Sequence, residues 1–187
     1  MHVSDAKSNL AIGFLTVIDY PEHGLFGGYL ILNQLSRPLE FHCTTPIKPT
    51  RAQQILYGPT LQPYLYGEQI GRTLAASAKT RPVAVLTDRE PALALREFVD
   101  VPVVLVPEQG GSSADANDAV YRIDAAHPTP ARLTAFSLGP HRLIVPSSSA
   151  ADREAVAAAL GGIADSFDFR EPFERIREAI EEARRGG

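Results

Sequence analysis

Residues 10–18, LAIGFLTVI, are apolar on both alternating faces, with Leu10, Ile12, Phe14 and Ile18 on one and Ala11, Leu15 and Val17 on the other. That pattern predicts a strand covered on both sides. Turn residues follow in DYPEHG, and LFGGYLILNQL resumes a strand in which Gly27 and Gly28 mark a bulge or a close backbone approach. After SRP, the segment LEFHCT reads as a third short strand, so the first 45 residues predict an antiparallel three-stranded meander.

Helical signals come next. Thr50 followed by Gln53 has the form of a capping box, and the helix that it opens is broken by the YGP at 57–59. Thr60 is placed to cap a second piece reaching about residue 78, in which Gly67, Gly71 and Ala75 form a flat stripe suited to close packing. The middle of the chain, PVAVLTD, REPALALREFVD and VPVVLVP, reads strand, helix, strand with short connections, a parallel crossover. Asp88 stands where the first of these strands ends and is placed to cap the helix. EQGGSSADAND then predicts a surface loop, AVYRIDA an edge strand, and ARLTAFSLGPHRLIVP two strands about Gly139-Pro140. A serine-capped helix closing at Gly161 or Gly162 follows. Last, Phe169, Phe173, Ile176, Ile180 and Ala183 recur at helical spacing over 168–185, an amphipathic stripe that the short preceding link predicts to dock on the parent sheet. The chain's end, RRGG, is an ordinary helix stop.

The expected fold class is therefore α/β with α+β character: a mixed sheet opening with the meander, one parallel crossover, helices on both faces and a C-terminal amphipathic helix. We expect one domain over 1–187, with its core at about 8–165. Composition narrows the function classes. A net charge of −4 supplies no general basic field, so nucleic acid is not an expected partner. A single cysteine, a polar start and no apolar run of the roughly 18 residues needed to span a bilayer predict a soluble cytoplasmic protein without a membrane partner.

The chemistry-bearing positions are few. On a strand over 39–43, Leu39, Phe41 and Cys43 share one face while Glu40, His42 and Thr44 share the other. This predicts a structural, buried Cys43 and leaves Glu40 and His42 as an acid/base candidate pair, with Asp88 as a further catalytic candidate. No two histidines fall at ligand spacing, so no metal site is predicted, and no cofactor is identified. Phosphate-loop, dinucleotide, nucleophile-elbow and zinc-protease motifs are lacking. The order of meander, helix and crossover resembles the layering of cytidine deaminase-like enzymes. Their zinc site, however, needs a P-C-x-x-C that one cysteine cannot supply. Tyr57, Tyr64 and Tyr66 cluster as binding candidates. The main expectation is a binding or assembly module with a protein partner, a second copy or a small-molecule ligand. The alternative is a small enzyme using the Glu40, His42 and Cys43 region.

Overall fold

The computed structural model describes residues 10–108 and 132–186. The loop and edge strand expected at 108–125 fall almost wholly outside these residues. Among them, seven strands form one sheet in the order β3-β2-β1-β4-β5-β7-β6. The strands are β1 (Ala11–Tyr20), β2 (Gly24–Asn33), β3 (Pro38–Cys43), β4 (Val85–Thr87), β5 (Val103–Leu105), β6 (Leu133–Leu138) and β7 (His141–Pro146). The meander β1–β2–β3 is antiparallel, and β4 and β5 add to β1 in parallel. The β6–β7 hairpin, turned at Gly139 with φ of 55°, closes the other edge antiparallel. This is the mixed α/β sheet that the alternation of apolar residues predicts.

Both faces of β1 are buried, as its two-sided apolar pattern requires. Ile12, Phe14, Leu30, Leu86 and Val104 belong to a cluster under helices α3 (Asp152–Leu160) and α4 (Glu171–Arg185). Leu15, Val17, Ile31, Val85 and Val103 face the second cluster. There they meet α2, which runs over 61–77, and the 3₁₀ run Glu90–Glu97, the form taken by the helix of the crossover.

Gly27 and Gly28 let both layers close. A Cβ on Gly27 would lie 2.1 Å from Cγ2 of Ile70 in α2, and one on Gly28 would lie 2.2 Å from Cγ2 of Ile176 in α4. The pair is thus a close approach on each face, by side chains and not by backbone. The small stripe of α2 is likewise a packing surface: a Cβ on Gly67 would stand 2.6 Å from Cβ of Ala94.

Helix α1 (Arg51–Tyr57) opens on the expected capping box, with Thr50 Oγ1 accepting from the Gln53 amide at 3.1 Å and Gln53 Oε1 from the Thr50 amide at 2.9 Å. It stops at Gly58, whose φ is 49°, so the break at Gly58-Pro59 separates two helices as predicted. Within α2, Tyr64–Gly71 winds as a π-helix. In α4, Phe173, Ile176 and Ile180 are buried on this chain's own sheet. Arg175 ties the helix to the β2–β3 turn through Ser36 O at 2.8 Å. Among the described residues no helix is long and apolar enough to cross a membrane.

Candidate functional site

The parallel strands β1, β4 and β5 end at one edge of the sheet, the edge where open α/β sheets gather ligands. Polar residues collect there directly after the apolar runs: Asp19 and Tyr20 on β1, Asp88 and Arg89 after β4, and Glu108 after β5. Helix α4 packs on the sheet face beside this edge, and Arg177 and Glu181 reach Asp88 and Tyr20 there. Its Glu174 and Arg177, with Asp168 and Arg170 ahead of it, complete a cleft of about 500 Å³ lined also by Asp88, Arg89 and Glu108.

Asp88 is the centre of the cleft. It was expected to cap the crossover helix, and the structure corrects this. Leu86 points to the α4 side and Thr87 to the other, so Asp88 turns under α4, away from the 3₁₀ run. The Arg89 amide at the start of that run is taken at 3.1 Å by Thr87 Oγ1. One carboxylate oxygen of Asp88 pairs with Arg177, whose other branch reaches Glu174 at 2.8 Å. The second oxygen, Oδ1, is buried and has no hydrogen-bond partner among the described residues. Arg89 Nε is also buried and without one, and it faces Asp88 Oδ1 across 4.0 Å. An acceptor and a donor are thus held too far apart to bond directly and close enough to share one intervening atom. Continuing the β1–β4 register by one residue sets Thr16 beside Asp88, and Thr16 Oγ1 is a third buried atom without a partner. Buried polar atoms are nearly always satisfied, so this concentration calls for a ligand or water. Tyr66 lies on the α2 side of the same edge: burial pushes its phenol up, the charge of Asp19 adds to this and that of Arg89 opposes it.

The sequence singled out Asp88 but missed Arg89 and Arg177. The available signal was a charged pair, Asp88-Arg89, standing directly after an apolar strand. Arg177 sits on the polar side of an amphipathic helix, where nothing in the pattern marks it.

The other candidates lie elsewhere. Glu40 and His42 do come together, with His42 Nε2 2.8 Å from Glu40 Oε2. Glu40 also accepts from the Lys79 amide at 3.0 Å and from the Thr80 amide. Its carboxyl is held down to about 2 by the His42 hydrogen bond first, then by Thr80 and Lys79. It therefore clamps the 79–80 turn to the sheet. Cys43 is exposed, which corrects the expectation of burial. Gly28 pairs with both Cys43 and Thr16, so Cys43 shares a row with the Asp88 site, yet three strand spacings set them roughly 14 Å apart. Helix α4 rests over Gly28 and leaves edge strand β3 open, which exposes Leu39 and Phe41 as well. Tyr57 and Tyr64 stack with ring centroids 4.0 Å apart, while Tyr66 turns toward the strand-end cleft. Among the described residues no group of three or more His, Cys, Asp or Glu is placed to hold a metal ion.

No family model matches the chain, and no curated protein matches it in sequence. Solved structures do match in fold. An Endonuclease V variant from Ciona intestinalis, in complex with a 23mer DNA containing an inosine followed by a ribo-adenosine, superposes over 96% of this chain and 88% of its own. Its TM-score is 0.51 at 11% identity. The catalytic domain of human Endonuclease V covers 96% of this chain and 85% of its own, at TM-score 0.50 and 12% identity. The likeness is one of fold. It corrects two expectations, since a chain folded as a nuclease solved with DNA is no longer best read as a protein-binding or assembly module from which nucleic acid is excluded. Net charge averages over the whole surface, so by itself it does not exclude a partner from a single cleft.

Proposed function

We propose that this protein is a nucleic-acid-processing enzyme whose phosphodiester chemistry takes place in the strand-end cleft. The observation that carries this reading is the pair of buried, unpartnered atoms, Asp88 Oδ1 and Arg89 Nε, facing each other across 4.0 Å. A water seated between them donates a hydrogen to Asp88 Oδ1 and is oriented by Arg89. Asp88 then takes the water's proton as the water oxygen bonds to phosphorus, and the P–O bond to one sugar oxygen breaks. That sugar oxygen leaves as a hydroxyl after taking a proton from solvent, while Arg89, Arg170 and Arg177 face the charge on the phosphoryl oxygens. Arg177 keeps Asp88 in place. The fold shared with Endonuclease V structures supports a nucleic acid as substrate, and the alternative of a small enzyme stands in this form, with its centre at Asp88 and not at Glu40 and His42. The cleft also carries five carboxylates against its three arginines, so binding of a phosphate backbone should be weak. The lone cysteine suits a reducing compartment, and we infer a cytoplasmic setting.

The test is cleavage of end-labelled single- and double-stranded DNA and RNA, inosine-containing DNA among them, at low salt with and without magnesium. Cleavage that falls by about a hundredfold or more in Asp88→Asn supports the reading. Arg89→Ala, at a partly exposed side chain, should weaken binding while leaving the fold intact by circular dichroism. No cleavage of any substrate, or an Asp88→Asn variant as active as the parent, would overturn it.

A further inference from the structure

At the opposite end of the sheet, beside the amino ends of β4 and β5, lies a pocket of about 400 Å³ between α2, the 78–82 turn and the 98–101 turn. Three cations line it, Arg72, Lys79 and Arg81, against one carboxylate, Asp100, which leaves two positive charges in excess. Arg81 and Asp100 are paired at 3.3 Å, but both are largely exposed and the pair is weak enough for a ligand anion to displace. Apart from Thr80 and Tyr29 the remaining walls are apolar, with Val85, Val99 and Val101 behind and the Phe98 ring at the rim, 5.2 Å from the Arg72 guanidinium. Tyr29 also lines the pocket. Its side chain is only 2% exposed. Gly13 makes room for it, since a Cβ there would lie 2.6 Å from the Tyr29 hydroxyl oxygen. Glu40 holds the 79–80 backbone from the sheet side and so fixes one wall.

A largely apolar slot with an aromatic rim, a buried tyrosine and convergent cations has the make-up of a site for a flat molecule bearing an anionic group. We propose that this pocket binds a nucleoside monophosphate, with the base between Phe98 and the valine wall, its polar edge at the Tyr29 hydroxyl and the phosphate at Lys79 and Arg81. The site is separate from the strand-end cleft and goes beyond the proposed reaction.

The experiment is calorimetric titration of the full-length protein at low salt with adenosine, guanosine, cytidine and uridine 5′-monophosphates, and with the matching nucleosides and inorganic phosphate. At least one monophosphate should bind saturably and about tenfold or more tighter than its nucleoside or phosphate alone. Lys79→Ala with Arg81→Ala, both at exposed side chains, should weaken that binding about tenfold or more, and Tyr29→Phe should alter which base is preferred. Arg89→Ala should leave it unchanged. The proposal is overturned if no monophosphate binds, if phosphate alone binds as well, if the Lys79 and Arg81 variants bind like the parent, or if Arg89→Ala abolishes binding, which would move the ligand to the strand-end cleft. Binding here without nucleic-acid cleavage would fail the proposed reaction alone.

Discussion

Replacing Gly28 by alanine tests how α4 is seated and, with it, what holds Arg177 over Asp88. The new methyl would stand 2.2 Å from Cγ2 of Ile176 and 2.9 Å from Cδ1 of Ile180, against a normal carbon contact of about 3.5–4.0 Å. Helix α4 must therefore rise or Ile176 must leave its rotamer, and overpacking of this kind costs about 1–3 kcal/mol. Ile176 is fully buried, so Ile176→Ala alone should cost about 2–5 kcal/mol through the cavity that it leaves. In the double variant the methyl of residue 28 enters that cavity. The two changes should then sum to less than their parts by about 1–2 kcal/mol, a coupling that neighbours in contact can show. Urea unfolding followed by far-ultraviolet circular dichroism is the assay, since the chain has no tryptophan to report. Gly162→Ala is the control: nothing lies within 4 Å of its added Cβ, so its effect should be small. Strict additivity, or a Gly28→Ala variant within about 0.5 kcal/mol of the parent, would refute the packing argument.

Three further outcomes follow from named contacts. Cys43, exposed on edge strand β3, should react with iodoacetamide at a similar rate in the native and the urea-unfolded protein, and strong native protection would contradict its placement. The Glu40 carboxyl sits at about 2 in the fold against an ordinary 4.5, so its stabilising contribution is complete above about pH 4.5 and is lost as pH falls through about 2. Glu40→Gln should accordingly lower the melting temperature at neutral pH and converge on the parent near pH 2; a constant difference across that range would assign the loss to packing. Asp152 is buried and pairs with Arg96 at 2.6 and 3.2 Å, tying α3 to the crossover. Its replacement by alanine should cost about 3 kcal/mol in urea unfolding by leaving Arg96 without its partner, and a neutral effect would show that the pair contributes nothing net.

What the sequence by itself determined is the layer structure. Two-sided apolar runs at 10–18 and 83–87 read as inner strands, Thr50 with Gln53 as the start of a helix, and the Phe173, Ile176, Ile180 stripe as a helix face that the parent sheet or a partner had to cover. These are local facts, since hydrophobic period and cap chemistry are written within a few residues of where they act. The site was legible only in part, because its members come from β1, β4 and α4, and no spacing in the chain encodes their meeting. Asp88 could be read as a helix cap until the alternation of β4 was known to turn it under α4, where Arg177, 89 residues away, holds one oxygen and leaves the other unpaired. Cys43 shows the same limit from the other side. Its neighbours on the strand are apolar, but burial depends on what covers the face, and α4 seats over Gly28 because the missing Cβ admits it there. Edge β3 is left in water by that choice, which only the packing of the whole sheet makes.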